Sequence, residues 1–166
     1  PKMAFGTGYH ETTRLMLHLL PDVIEKGSWV LDAGTGTGVL AIGAVKLGAS
    51  NVFAFDIDDW SITNALENAY INQVDSEVEI RKGSIEVVPG NSLYDAVLAN
   101  INRNTIIELL PDLTRHVKPG GCLLLSGLLI SDRQHVLDQE PLNPFRLVQS
   151  RRENDWIALH LLKPDS

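Results

Sequence analysis

The heptapeptide Asp32-Ala33-Gly34-Thr35-Gly36-Thr37-Gly38 stands between an apolar run, residues 29–32, and a stretch of small and apolar side chains, residues 39–47. A strand that hands over to a helix through closely spaced glycines can be housed in few ways. The turn is sharp, the helix N-terminus is left at the turn, and both face the crevice beyond the strand ends of an open parallel sheet. Gly48 stops the helix, and residues 51–56 supply a second strand that ends in an acid. Strand, glycines, helix and strand form one βαβ unit, which commits the chain to an α/β fold.

The same alternation continues downstream. Ile62, Ala65, Leu66, Ala69 and Tyr70 fall at helical spacing within residues 60–72, residues 78–81 alternate as a third strand, and residues 95–99 read as a fourth. A helix over 105–117, a turn at Lys118-Pro119-Gly120-Gly121 and a fifth strand over 122–126 come next. Upstream, Thr12 or Thr13 is expected to cap a helix running to about Leu20, before Pro21 and Gly27. The tail changes rhythm: after a helix near 132–139, residues 145–150 and 156–162 read as strands joined by a polar turn over 151–155. The expected architecture is Rossmann-like: a doubly wound, mostly parallel seven-stranded sheet closed by a C-terminal antiparallel hairpin, in one domain over residues 1–166.

Composition narrows the class. A length of 166 residues with 44% hydrophobic side chains suits a single core. A net charge of -7 disfavours direct nucleic-acid binding and points to a basic protein as partner. Cys122, the lone cysteine, excludes an intramolecular disulfide, fits a reducing compartment and reads as core filler. The longest apolar stretches, such as 122–130, are far short of the roughly 20 residues that cross a bilayer. With Pro1 first and no signal pattern, the chain reads as cytoplasmic and as part of a longer protein. His10 and His116 have no partners at ligand spacing, so no metal site is expected, and no nucleophile triad stands out.

The glycine turn carries the chemistry. A dinucleotide fingerprint starting at Gly34 requires a third glycine at position 39, which is Val39. What remains is Asp32 two residues before alternating glycines, a spacing that suits a cationic amino group at the acid and a small carboxylate at the amides of Gly34, Gly36 and Gly38. The methionine moiety of S-adenosylmethionine carries both groups. Glycines of this kind also serve as tight packing turns, but Asp56 ends the next strand about 20 residues on, where a carboxylate in such a fold reaches ribose hydroxyls. Asp56 is assigned to the ribose, with Ile57 beside it, and Asp58 or Asp59 to the cap of the following helix. Asn100 comes directly after the fourth strand at the same sheet edge, where a methyl acceptor would sit; a turn-forming Asn in Ala99-Asn100-Ile101-Asn102 is the equal alternative.

With these residues in place, the chain resembles the PrmA family, bacterial methyltransferases that modify lysine side-chain and N-terminal amines of a large-subunit ribosomal protein. The most specific segment is Ala4-Phe5-Gly6-Thr7-Gly8-Tyr9-His10-Glu11-Thr12-Thr13; residues 32–42, Asp56-Ile57-Asp58, Ala99-Asn100-Ile101, Lys118-Pro119-Gly120-Gly121, Leu125-Ser126-Gly127 and the turn at 153–156 are similar too. The resemblance implies that Thr13, Gly34, Asp56 and Asn100 contact S-adenosylmethionine, with Phe5, Thr7 and Gly8 as a lid. The sequence departs from the family at Tyr9, Glu11 and Asn102-Arg103. The family's N-terminal docking domain has no counterpart in these residues, so the chain is expected to be a C-terminal catalytic part or a relative with another acceptor, such as a small-molecule amine or RNA. A nicotinamide oxidoreductase and a non-catalytic interaction module are the readings from other classes; Val39 opposes the first and the retained Asp32, Asp56 and glycines oppose the second.

Overall fold

The computed structural model describes residues 9–165. Five strands, β1 (Trp29–Ala33), β2 (Asn51–Asp56), β3 (Val78–Lys82), β4 (Tyr94–Asn100) and β5 (Val117–Leu129), run parallel, and β6 (Arg146–Glu153) and β7 (Trp156–Leu162) add an antiparallel hairpin. The sheet order is β3-β2-β1-β4-β5-β7-β6, with β7 inserted between β5 and the edge strand β6. This is the doubly wound, seven-stranded arrangement that the alternating pattern implies. The order reverses between β1 and β4, which opens a crevice at their C-terminal ends.

The central strands are apolar throughout because both faces are covered. On one face Val30, Val52, Ala54, Leu98 and Leu124 pack under α1 (Tyr9–Val23) and α2 (Val39–Lys46), which contribute Leu15, Met16, Leu19, Leu20, Leu40, Ala41 and Ala44; Ala69 of α3 (Asp59–Ile71) joins them. On the other, Leu31, Phe53, Val97, Leu123 and Leu125 meet Ile106, Leu109, Leu110 and Leu113 of α4 (Arg103–Arg115) and Val136 of the short α5 (Arg133–Leu137). No helix among the described residues is long and apolar enough to cross a membrane.

Several boundaries differ from the sequence reading. Thr12 and Thr13 do not cap α1; they lie inside it, Thr12 fully buried, and the helix passes Pro21 to end at Val23. Burial of Val23 and Ile24 against the sheet carries the last turn past the proline. Lys118-Pro119-Gly120-Gly121 is not a free turn but an irregular segment of β5: pairing with β4 jumps from Tyr94↔Val117 to Ala96↔Cys122, while Gly120 donates to Lys163 O at 3.1 Å. The final hairpin is tighter than expected, because β6 reaches Glu153 and leaves only Asn154 and Asp155 as the turn, with Asn154 at φ 54°. Cys122 is half-buried rather than interior, with Sγ 3.2 Å from His160 Nε2, and burial pushes its thiol above the ordinary range.

Candidate functional site

A cavity of about 460 Å³ opens at the reversal point of the sheet, built from the segments at the C-terminal ends of the strands: Gly34 and Gly36 after β1, Asp56 and Ile57 at the end of β2, Gly83 and Ser84 after β3, and Asn100 to Asn102 at the end of β4. Thr105, Glu108 and Leu109 close it from α4. Asp56 is held there through both of its oxygens. Its Oδ2 accepts from the Gly36 N–H at 2.8 Å and its Oδ1 from the Asp58 N–H at 3.0 Å, which fixes the carboxylate and leaves further lone pairs on both oxygens. Asp58 is the cap of α3, accepting from the Ser61 N–H at 2.9 Å, so the choice between Asp58 and Asp59 falls on Asp58.

Asn100 ends β4 in a buried position, 6% exposed, and its Oδ1 has no hydrogen-bond partner among the described residues. A buried acceptor left unmade costs about 1–3 kcal/mol, so this oxygen can take a donor that the described residues do not supply. The turn-forming Asn is instead Asn102, which caps α4 by accepting from the Thr105 N–H at 2.9 Å. Ile101, between them, is held by two glycines: a Cβ on Gly127 (φ 87°) would overlap the Ile101 carbonyl, and one on Gly34 (φ 71°) would overlap the Ile101 side chain. The segment after β4 is therefore clamped where it passes the cavity. Arg103, the other departure, lies 3.2 Å from Asp132 and extends the clamp toward α5.

The family model described as Ribosomal protein L11 methyltransferase (PrmA) matches residues 1–164. The chain belongs to the PrmA family. It is 43% identical over 166 residues to the ribosomal protein L11 methyltransferase of Porphyromonas gingivalis, covering all of this chain and 57% of that protein's length. A curated relative from Pelobacter propionicus, of the same name, is 40% identical over 164 residues, with 52% of its length covered. The chain thus spans little more than half the length of these relatives. A crystal structure of ribosomal protein L11 methylase from Lactobacillus delbrueckii subsp. bulgaricus superposes with a TM-score of 0.87 at 32% identity, over 95% of this chain and 81% of that one.

Within this PrmA-family fold the cavity brings together Gly34, Gly36, Asp56, Ile57 and Asn100 from the residues singled out in the sequence, and leaves others aside. Asp32 sits behind the turn, 1% exposed, with Oδ2 accepting from the Thr35 hydroxyl at 2.7 Å; it does not line the cavity. Burial pushes its carboxyl up to about 6, with the Thr35 bond opposing and Asp56 adding to the rise. Gly38 also lies off the wall; glycine is favoured there by its left-handed φ of 88°, since a Cβ would make only ordinary contact with Ala65 of α3. The turn's amides are not open as expected: Gly34 and Thr35 N–H donate to Phe55 O, Gly36 N–H to Asp56 and Gly38 N–H to Thr35 O. These glycines serve the wall by shape. Thr13 is half-buried on α1 away from the lining, while Phe5, Thr7 and Gly8 lie outside the described residues.

Ser84, Thr105 and Glu108 are cavity residues that sequence reasoning missed. Ser84 carried a usable signal, since it comes after a parallel strand at the same sheet edge as Asp56; Thr105 and Glu108 carried none, being ordinary polar residues of an amphipathic helix. No group of three or more His, Cys, Asp or Glu among the described residues is arranged to hold a metal ion.

Proposed function

We propose that the chain is the catalytic part of an S-adenosylmethionine-dependent N-methyltransferase acting on lysine and N-terminal amines of large-subunit ribosomal protein L11, in the cytoplasm. The observation that carries this reading is the Oδ1 of Asn100, which has no partner among the described residues and is buried in one cavity with the fixed carboxylate of Asp56. The residues present suit the cofactor: Asp56 has lone pairs left for two ribose hydroxyls, and Gly34 and Gly36 give a wall without side chains along which an elongated ligand can lie. Bound there, S-adenosylmethionine supplies a methyl group that its sulfonium already activates.

The chain's own residues then have little acid or base work to do. Asn100 Oδ1 would accept a hydrogen bond from the acceptor amine and aim its lone pair, and the clamped Ile101 segment would hold that oxygen in place. An unperturbed lysine, with a pKa near about 10.4, is mostly protonated at neutral pH and must lose a proton before it reacts. A neutral amide oxygen orients the free amine without adding a full charge that would favour the ammonium form.

Labelled S-adenosylmethionine with purified, unmodified ribosomal protein L11, followed by mass spectrometry, tests this. Methyl groups on lysine or N-terminal amines are expected. No transfer from a chain shown in the same sample to bind the cofactor would exclude that acceptor for this chain, and no cofactor binding at all would overturn the cofactor reading.

A further inference from the structure

Three of the carboxylates in or beside the cavity already have backbone partners. Asp56 accepts from Gly36 and Asp58, Asp58 caps α3, and Glu86 accepts from the Ser84 N–H at 2.9 Å. Glu108 is different: it lines the cavity, is exposed, and makes no hydrogen bond or ion pair with any described residue. Thr105, Glu108 and Leu109 share one face of α4, at the i, i+3, i+4 spacing of neighbours on a helix.

Where Glu108 stands relative to Asn100 decides what it can meet. Six residues beyond the cap Asn102, it lies about 9 Å along the helix from that end. The helix runs on toward the segment between β3 and β4, where Arg115 bonds Gly90 O and His116 contacts Ser92 O. Gly83 and Ser84 line the cavity on this side, and three strand spacings separate β3 from β4, roughly 14 Å. On the cofactor reading above, Asp56 takes the ribose and Asn100 marks the reacting end, so the purine base must extend past Asp56 toward Ser84 and Glu108.

We propose that Glu108 recognises the exocyclic amine of the adenine base and makes the site selective for an aminopurine. An ionised carboxylate only accepts hydrogen bonds. It complements the two N–H donors of the amine, whereas a 6-oxopurine would bring a carbonyl oxygen against it. The inference rests on the proposed cofactor reading, and Glu108 is a binding and selectivity residue with no part in the transfer itself.

Calorimetric titration with S-adenosylhomocysteine and S-inosylhomocysteine tests the proposal on the chain and on Glu108→Ala and Glu108→Gln, whose folding is checked by circular dichroism. Glu108 is exposed, so neither substitution disturbs the core. The unsubstituted chain should prefer the adenosyl compound about tenfold, the range of one hydrogen bond to a charged acceptor. Both variants should bring the two affinities within about twofold, Glu108→Gln because its amide can also donate to a carbonyl. Unchanged preference in both variants would overturn the assignment, as would unchanged affinities with a raised KM for the acceptor, which would place Glu108 on the acceptor side. Failure of the unsubstituted chain to bind either compound would overturn the cofactor reading and this inference with it.

Discussion

Asp32→Asn removes a buried charge while keeping an oxygen that can accept from the Thr35 hydroxyl, so it isolates what ionisation of this site does to stability. Burial pushes the Asp32 carboxyl from the ordinary 3.8 up to about 6, meaning that between these values the folded chain holds a proton that the unfolded chain has released. Stability from this group is therefore present below pH 3.8 and is lost as the pH rises through about 6. At roughly 1.4 kcal/mol per pH unit, the loss is about 3 kcal/mol. His160 works in the opposite sense: burial lowers its pKa below 6.5, so its contribution is lost as the pH falls. A pH profile of the unsubstituted chain alone would mix the two, but the difference between it and Asp32→Asn cancels His160. Urea unfolding at intervals from pH 4 to 7.5 should show the variant gaining about 2.5 kcal/mol relative to the parent across the range, on top of a constant penalty for its amide N–H groups. A difference independent of pH would refute this account and show that Asp32 ionises in the folded chain as it does in water.

Gly127→Ala combines a left-handed φ of 87° with overlap of the Ile101 carbonyl; a loss of about 3 kcal/mol and a melting temperature lowered by roughly 6–12 °C are expected in a thermal scan, with weaker S-adenosylhomocysteine binding. Asp58→Ala removes the cap of α3 and should lower stability by about 1 kcal/mol in urea titration, since one helix N–H loses its partner. Asn100→Ala should leave stability within about 1 kcal/mol, because the deleted oxygen has no partner among the described residues to lose, while turnover measured with labelled cofactor falls at least about tenfold. Asp56→Ala should weaken S-adenosylhomocysteine binding at least about tenfold in calorimetry, because it removes both the ribose acceptor and the group that fixes the Gly36 N–H.

Much of the fold was legible because strand and helix differ in period. β2 runs over Asn51–Asp56 as read, and the handover from β1 through the glycines to α2 is dictated by local chemistry alone. The ends of elements were less legible where packing outweighs punctuation, as at Pro21, where Val23 and Ile24 find cover, and at Gly120, where a bond to Lys163 just after β7 holds the glycine segment as a bulge within β5. In the site, Asp56 and Asn100 were readable because each ends a parallel strand at one sheet edge. Asp32 was not: spacing places an acid before the glycines but does not say whether its carboxylate faces the crevice or turns back to the Thr35 hydroxyl. The orphaned oxygen of Asn100 and the unengaged Glu108 depend on what every neighbour bonds to, and that is visible only once distant strands have been brought together.

The docking of α1 bears on how the chain is made. Leu15, Met16, Leu19 and Leu20 belong to the same buried cluster as Leu98 of β4, Leu124 of β5 and Ala158 of β7, and Arg14 bonds Glu153 at the tip of the last hairpin. α1 is translated before α2, β4, β5 and β7, the elements that bury it. Its apolar stripe stays open to chaperones and to other nascent chains until those elements have followed, and its docking is a long-range step that depends on β5 and β7.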